Sequence, residues 1–109
     1  MNYTIDFQKS GGLIPVIIQE STSKNVLMLG YMNKQAYDES LKSGYVYFWS
    51  RSRNELWLKG KKSGNKLKIV RIDADCDNDT LLIQVDYKGN TICHLEKWSC
   101  FENGLWEQN

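Results

Sequence analysis

Two apolar runs joined by a short polar turn decide the fold: LIPVIIQESTSKNVLMLGYM, which occupies Leu13–Met32. Leu13–Gln19 is typical of a strand, with Pro15 near its start, where a missing N–H is tolerated. Ser21–Asn25 is turn-like. Val26–Met32 is a second apolar run, too short for a helix of ordinary length. The stretch therefore predicts a β-hairpin.

One helix is expected directly after the hairpin. Asn33 is a good N-cap, Lys34–Ser43 follows as the helix, and Gly44 supplies its C-terminal stop. We expect Tyr37 and Leu41, four residues apart, to face the core.

Further strands dominate the remainder of the chain. We predict them at Tyr45–Trp49, Glu55–Leu58, Leu67–Ile72, Leu81–Tyr87 and Thr91–His94. One helix cannot cover both faces of a parallel sheet. The sequence therefore predicts a mainly β (α+β) fold, a small antiparallel sheet or barrel capped by one α-helix.

Composition limits the class of protein. The 109 residues, 41% hydrophobic and 25% charged, fit one globular domain spanning residues 1–109. No apolar run approaches the roughly 18 residues of a membrane span. The start of the chain lacks the apolar stretch of a signal peptide, and three cysteines are an odd count. We therefore expect a cytoplasmic protein with reduced thiols, and the net charge of +1 argues against nucleic-acid or membrane partners.

The small net charge conceals two blocks of opposite sign. Eight basic side chains and one acidic side chain give Ser50–Arg71 a charge of +7, which leaves −6 for the rest of the chain. The basic members are Arg51, Arg53, Lys59, Lys61, Lys62, Lys66, Lys68 and Arg71. A solvated surface is one explanation of such a run, and an anion-binding site is the other.

Four carboxylates follow within seven residues. They are Asp73, Asp75, Asp77 and Asp79, with Cys76 among them. Hard divalent cations prefer oxygen ligands of this kind. An EF-hand is excluded because Asn78 replaces its glycine and Gln84 its last glutamate. A solvated acidic turn remains the alternative.

The three cysteines, Cys76, Cys93 and Cys100, have no Cys-x-x-Cys spacing. Three thiolates with an open fourth position would suit catalytic zinc, whereas buried cysteines that only fill the core are the alternative. The single histidine, His94, follows Cys93 and could carry protons near neutral pH.

The basic block is interleaved with aromatic residues. Phe48–Arg53 reads FWSRSR, and Leu56–Asn65 reads LWLKGKKSGN. Arginine binds phosphate oxygens with two hydrogen bonds, and serine hydroxyls add more. Single-stranded RNA binding on a small barrel fits the same composition. At least one of the aromatic residues is expected to pack in the core.

Together these motifs resemble the phosphoribosyl-AMP cyclohydrolase family of histidine biosynthesis. The resemblance covers about residues 6–101. It rests on Gly12–Pro15, Val26–Asn33, Phe48–Arg53, Leu56-Trp57-x-Lys59-Gly60, Ser63–Asn65, Asp75-Cys76-Asp77-x-Asp79, Cys93-His94 and Ser99–Phe101.

The resemblance implies a homodimer with its active sites at the subunit interface. It implies zinc on Cys76, Cys93 and Cys100, with ligands from both subunits, and magnesium on Asp75, Asp77 and Asp79. It further implies opening of the adenine ring of phosphoribosyl-AMP at the N1–C6 bond by a zinc-activated water, with His94 as general base or proton shuttle. The residues expected to bind this substrate are Trp49, Ser50, Arg51, Ser52, Arg53, Lys59 and Lys61.

Two departures from the family pattern stand out. Lys62 takes a place where the family usually has threonine, and the tail Glu102–Asn109 follows no family pattern. We expect a monofunctional chain without a fused pyrophosphohydrolase domain. A family member that has lost its activity is the alternative, and the retained cysteines, aspartates and His94 argue against it.

Overall fold

The computed structural model describes residues 5–9, 11–88 and 98–108. The elements in chain order are β1 Ile14–Glu20, β2 Val26–Met32, α1 Lys34–Ser43, β3 Tyr47–Ser50, β4 Glu55–Leu58, β5 Lys68–Ala74 and β6 Leu81–Asp86. The predicted strand Thr91–His94 lies outside the described residues, and so do the candidate site residues Cys93 and His94.

The six strands of the described residues form one four-stranded sheet and one hairpin. The sheet has the order β2-β1-β6-β5, and β3 pairs with β4 in the hairpin. The β1–β2 hairpin is antiparallel, as predicted, and so is the β5–β6 pair, but β1 and β6 run parallel. The mainly β prediction is confirmed, whereas the antiparallel sheet or barrel is corrected to an open mixed sheet. Local turn signals set the direction of strands adjacent in sequence, and β1 and β6 are far apart in the chain.

The core lies on one face of the two central strands. Alternate residues of β1 are fully buried, and Val16 and Ile18 pair with Leu81 and Ile83 of β6, which are also fully buried. This period of two is the arrangement expected for a strand with one face on the core. The parallel pair therefore forms the centre of the molecule.

Helix α1 has the caps that the sequence predicts. The Asn33 side chain accepts a hydrogen bond from the Ala36 N–H at 2.8 Å, and Gly44 ends the helix with a φ of 83°. Tyr37 packs against the core, but Leu41 is 54% exposed, so that part of the prediction is wrong. Ser40 is buried instead, because its hydroxyl accepts the Tyr47 N–H at 2.9 Å and so ties α1 to β3. In the described part of the chain no helix is long and apolar enough to span a membrane.

A close approach at Gly30 seats the β3–β4 hairpin on β2. A Cβ atom at Gly30 would lie 2.5 Å from the ring of Phe48, which is 1% exposed. Only glycine leaves room for this ring. The contact explains why the aromatic strand β3 lies against the glycine of β2.

The turn between β1 and β2 is closed by a buried carboxylate. Glu20 accepts hydrogen bonds from the N–H groups of Thr22 and Ser23, both at 2.9 Å. These two bonds lower the pKa of Glu20 from its ordinary value of 4.5 to about 2. Burial raises the pKa, but its effect is smaller. The ionised form is therefore the one that the fold stabilises.

We expect the stabilising effect of Glu20 to depend on pH. Because its folded pKa is depressed, the contribution is complete above about pH 4.5 and is lost as the pH falls towards 2. Glu20→Gln should therefore lower the free energy of unfolding at pH 7, and its deficit relative to the unmodified chain should shrink between pH 5 and pH 3.

Urea unfolding at fixed protein concentration measures this difference. Glu39→Gln, at a partly exposed position of helix α1 away from this turn, is the matched control and should show no such pH-dependent deficit. A deficit for Glu20→Gln that stays constant across the range would contradict the assignment.

Candidate functional site

A cleft of about 520 Å³ opens between β2 and the β3–β4 hairpin. One wall is the backbone and side chains of Met28–Tyr31. The other contains Phe48 and Trp57, whose rings lie 5.6 Å apart, together with four predicted substrate-binding residues. Those four are Trp49, Ser50, Arg51 and Ser52.

The turn at the mouth of the cleft presents a cation. The Arg51 guanidinium carbon lies 3.9 Å from the centre of the Tyr31 ring. This stacking orients the guanidinium without neutralising it. In the described part of the chain, no carboxylate lies within ion-pair distance of Arg51. Its charge is thus available to an anion in the cleft.

Two serine hydroxyls lie beside Arg51. The Ser50 and Ser52 oxygens are 3.4 Å apart, and Ser50 accepts the Arg53 N–H at 3.3 Å. Asn54, with a φ of 53°, completes the turn into β4. The local backbone therefore places two hydroxyls and one guanidinium on the same rim, a donor set suited to phosphate oxygens.

The other three predicted substrate residues do not line this cleft. Arg53 lies 3.9 Å from the Glu55 carboxylate. The Lys59 ammonium lies 5.3 Å from the centre of the Trp57 ring. Lys61 is exposed in the loop after β4. Lys59 is thus connected to the cleft through Trp57, whereas Arg53 and Lys61 point to the surrounding surface.

The acidic segment forms a compact turn between β5 and β6. The Asn78 N–H donates to the Asp75 carbonyl at 3.1 Å, and the Asp79 N–H donates to the Asp75 side chain at 3.2 Å. Asn78 takes a φ of 61°, so the chain bends sharply there. The carboxylates therefore do not share one face, as they would in an extended strand.

An ammonium group from the start of the chain lies in this turn. The Lys9 nitrogen is 3.2 Å from the Asp79 carboxylate and 3.3 Å from that of Asp77. The bonds to Asp79 and Asp77 raise the pKa of Lys9. The Cys76 thiol donates to Asp77 at 3.2 Å, and this bond together with Lys9 lowers the pKa of Asp77. One cation thus already compensates part of the negative charge of the turn.

Asp73 is engaged elsewhere. Arg71 binds it with two hydrogen bonds of 2.8 and 3.0 Å along β5, and this pairing lowers the pKa of Asp73. The pair therefore separates Asp73 from the other three aspartates.

The segment that contains Cys100 is pinned to the start of β2. The Cys100 N–H donates to the Leu27 carbonyl at 2.7 Å, and the buried Ser99 hydroxyl donates to the Val26 carbonyl at 2.8 Å. Leu27 directly precedes Met28 of the cleft. Cys100, which is exposed, therefore lies next to the cleft.

Cys76 lies at the opposite end of the sheet from Cys100. Strand β1 separates β2 from β6, so the two lie two strand spacings apart, about 10 Å. The two ends also differ along the strands. Leu81, which follows the Cys76 turn, pairs with Val16, whereas Val26, which holds Ser99, pairs with Gln19. Val16 and Gln19 are three residues apart on β1, which adds a separation of about 10 Å along the strand direction. Cys76 lies in the turn before Leu81, farther still from Val26.

This separation is too large for one metal ion. Two thiolates on zinc each bond at about 2.3 Å, so their sulfur atoms lie within about 5 Å. Among residues 5–9, 11–88 and 98–108, no three histidine, cysteine, aspartate or glutamate side chains are grouped so that they could hold a metal. The thiolate chemistry suits zinc, but one copy of the chain does not bring Cys76 and Cys100 together.

Two contacts at the site are not predictable from the motifs. The sequence places Tyr31 in an apolar strand, and its aromatic side chain is the one local signal for the contact of its ring with Arg51. Lys9 and Asp77 are 68 residues apart, and no local pattern connects them.

Comparison with known proteins identifies one family. A family model described as phosphoribosyl-AMP cyclohydrolase matches residues 28–102, which contain the cleft and all three cysteines. A phosphoribosyl-AMP cyclohydrolase of Streptococcus sanguinis is 53% identical over 104 residues, covering 95% of this chain and 90% of the relative. One from Listeria innocua is 54% identical and covers 95% of this chain and 96% of the relative.

A longer relative also matches. A histidine biosynthesis bifunctional protein of Bacteroides thetaiotaomicron is 54% identical over 97 residues, which is 89% of this chain and 47% of that protein. The family model alone covers more than half of the chain, and relatives of similar length align almost from end to end. This chain therefore belongs to the phosphoribosyl-AMP cyclohydrolase family.

Proposed function

We propose that this protein hydrolyses phosphoribosyl-AMP, opening the adenine ring at the N1–C6 bond as a step of histidine biosynthesis. The observation that carries the proposal is the cleft, because it combines aromatic walls with an unneutralised Arg51 inside the segment that matches the family. A phosphorylated nucleotide presents the complementary chemistry, a flat ring and anionic oxygens.

The cleft residues bind and orient the substrate. The substrate carries two phosphates and therefore roughly four negative charges. Arg51 receives one phosphate with the Ser50 and Ser52 hydroxyls beside it, and Trp49 offers an aromatic surface to the ring. Lys59 reaches the same substrate from above Trp57. Arg53 and Lys61 attract the anion from outside the cleft.

We further propose that the complete site is shared between two copies of the chain. Cys100 lies beside the cleft of its own copy, whereas Cys76 and the acidic turn lie at the other end of the sheet. A homodimer that brings this end of one copy to the cleft of the other unites both cysteines. Cys76 then comes from one subunit, and Cys100, with Cys93 a few residues before it in the chain, comes from the other.

Zinc is the metal that three thiolates suit, and Cys76, Cys93 and Cys100 would hold it. When bound with one open position, it supplies a water of lowered pKa for addition to C6 of the purine. His94 is our candidate for moving the proton of that water towards the departing N1. The N1–C6 bond then breaks, and the exocyclic amino group stays on its carbon.

Magnesium would be held by Asp75, Asp77 and Asp79. Carboxylate oxygens suit this ion, which usually completes its coordination with substrate phosphates and water. Because the described residues of one copy do not group three such side chains for a metal, the carboxylates must move closer together when the ion binds. Because Lys9 already contacts Asp77 and Asp79, its ammonium must move aside when the ion enters.

The reaction itself is tested by ultraviolet absorbance. The zinc-replete protein should change the absorbance of phosphoribosyl-AMP, a chelator should abolish the change, and added Zn²⁺ should restore it. Cys93→Ala should be inactive, whereas Leu41→Ala, on the exposed side of α1, should keep its activity. No absorbance change with the zinc-replete protein would reject the function.

The shared site predicts complementation between two inactive variants. Cys76→Ser and Cys100→Ser should each lose zinc and activity. In a mixed dimer both substitutions fall in one site, and the other site is intact. About half of the dimers in an equimolar refolded mixture are mixed, so the mixture should recover about a quarter of the original activity. Zinc content should recover in the same proportion. No recovery in dimers shown by mass to be mixed would mean that each site lies within one chain.

The magnesium site predicts an effect of Lys9. Removing an ammonium that competes for two carboxylates should strengthen binding of Mg²⁺ or Mn²⁺, so Lys9→Gln should lower the dissociation constant about twofold to tenfold. Calorimetric titration of each variant with Mg²⁺ or Mn²⁺ measures this dissociation constant. Lys34→Gln, which removes a surface ion pair with Asp38, is the matched control. Equal affinities for both variants would place the ion elsewhere.

A further inference from the structure

The tail that follows Cys100 is apolar, acidic and exposed. Phe101 is 62% exposed, Leu105 97% and Trp106 82%. Its only charged residues are Glu102 and Glu107. Large exposed apolar side chains in one segment are typical of a contact surface. Tryptophan and leucine at such exposure indicate that the tail is covered in the assembled protein.

One edge of the sheet carries the complementary surface. Strand β5 is outermost in the sheet. Its start is already covered, because Tyr45 forms a bridge with Lys68 and the Ile69 N–H donates to the Gly44 carbonyl, so among the described residues the outer edge is open from Val70 to Ala74. The exposed side chains of β5 are Lys68, Val70, Arg71 and Ala74, and Arg71 is paired with Asp73. Val70 is 57% exposed and lies where the β5–β6 register shifts. An edge strand with exposed backbone groups readily accepts another extended segment.

The lengths of the two segments agree. In the shared site proposed above, Cys100 of one copy meets Cys76 of the other, just after the end of β5. From there, the six residues to Trp106 can span about 20 Å when extended. Val70 lies six residues before Cys76, so the two are at most about 20 Å apart. The tail is therefore long enough to reach Val70 of the second copy.

We propose that residues 101–107 of one copy dock along the exposed edge of β5 in a second copy. Leu105 and Trp106 pack on Val70, and Glu102 and Glu107 lie beside Arg71 and Lys68. The proposal rests on the proposed function, because the meeting of Cys76 and Cys100 sets the start of the tail. It assigns a role to the one segment that follows no pattern of the family.

Photocrosslinking tests the docking directly. Benzoylphenylalanine at position 106, in a mixture of isotope-labelled and unlabelled full-length chains, should crosslink to the Val70 region of β5 in the other copy. Peptide mapping by mass spectrometry distinguishes crosslinks between copies from those within one chain. Crosslinks confined to one chain, or directed to another surface, would overturn the proposal.

Self-association gives a second measurement. Leu105→Ser combined with Trp106→Ser should raise the dimer dissociation constant about tenfold or more by analytical ultracentrifugation, and Val70→Asp should do the same. Leu41→Ser, at an exposed leucine of α1, is the matched control and should leave the constant unchanged. Circular dichroism establishes that each variant is folded. An unchanged constant in the folded tail variant would contradict the docking.

Charge exchange tests the register of the docked tail. Glu107→Lys should weaken the dimer, and the added Lys68→Glu should restore it.

Zinc content and turnover of the unmodified protein distinguish a failure of the tail docking from a failure of the shared metal site. Normal zinc and turnover without the β5 crosslink would refute the docking alone, whereas the crosslink in a protein that binds no zinc would refute the shared metal site alone.

Discussion

The parallel pairing of β1 with β6 is the constraint on which the rest of the structure depends. It places fully buried Val16 and Ile18 against Leu81 and Ile83, so the two strands form the core of the sheet. It also puts the start of β6 at the end of the sheet where β1 begins. Because β2 is antiparallel to β1, the start of β2 lies at the other end. The acidic turn with Cys76 and the segment with Cys100 therefore lie at opposite ends of the sheet, while the cleft residues Met28–Tyr31 extend along β2 from the Cys100 end.

The chemistry is distributed according to this geometry. The cleft with Arg51 and the nearby Cys100 belong to β2 and the β3–β4 hairpin. The acidic turn with Cys76 belongs to β5 and β6. A basic block and an acidic block that adjoin in sequence thus become separate surfaces of one copy. In the dimer that we propose they face each other across the subunit interface, where the substrate phosphates and the metals lie between them.

Much of this arrangement is predictable where local interactions decide it. The Asn33 cap, the Gly44 stop and the β1–β2 hairpin each depend on residues within a few positions of one another. Leu41 shows where such reasoning fails. Its hydrophobicity predicts burial, but Ser40 is buried because only a hydroxyl satisfies the Tyr47 N–H between α1 and β3. The same limit applies to Lys9, whose partners lie in another part of the chain.

The sequence by itself determined the family, the mainly β class and the residue types of the site, because motif order and side-chain chemistry are written along the chain. Only the tertiary structure decided that β1 and β6 run parallel, that Tyr31 supports Arg51 and that Lys9 occupies the acidic turn. It also decided that Cys76 and Cys100 lie at opposite ends of the sheet. These outcomes depend on contacts between segments that are distant in the chain. Local sequence patterns indicate neither the relative direction of such segments nor the distance between them.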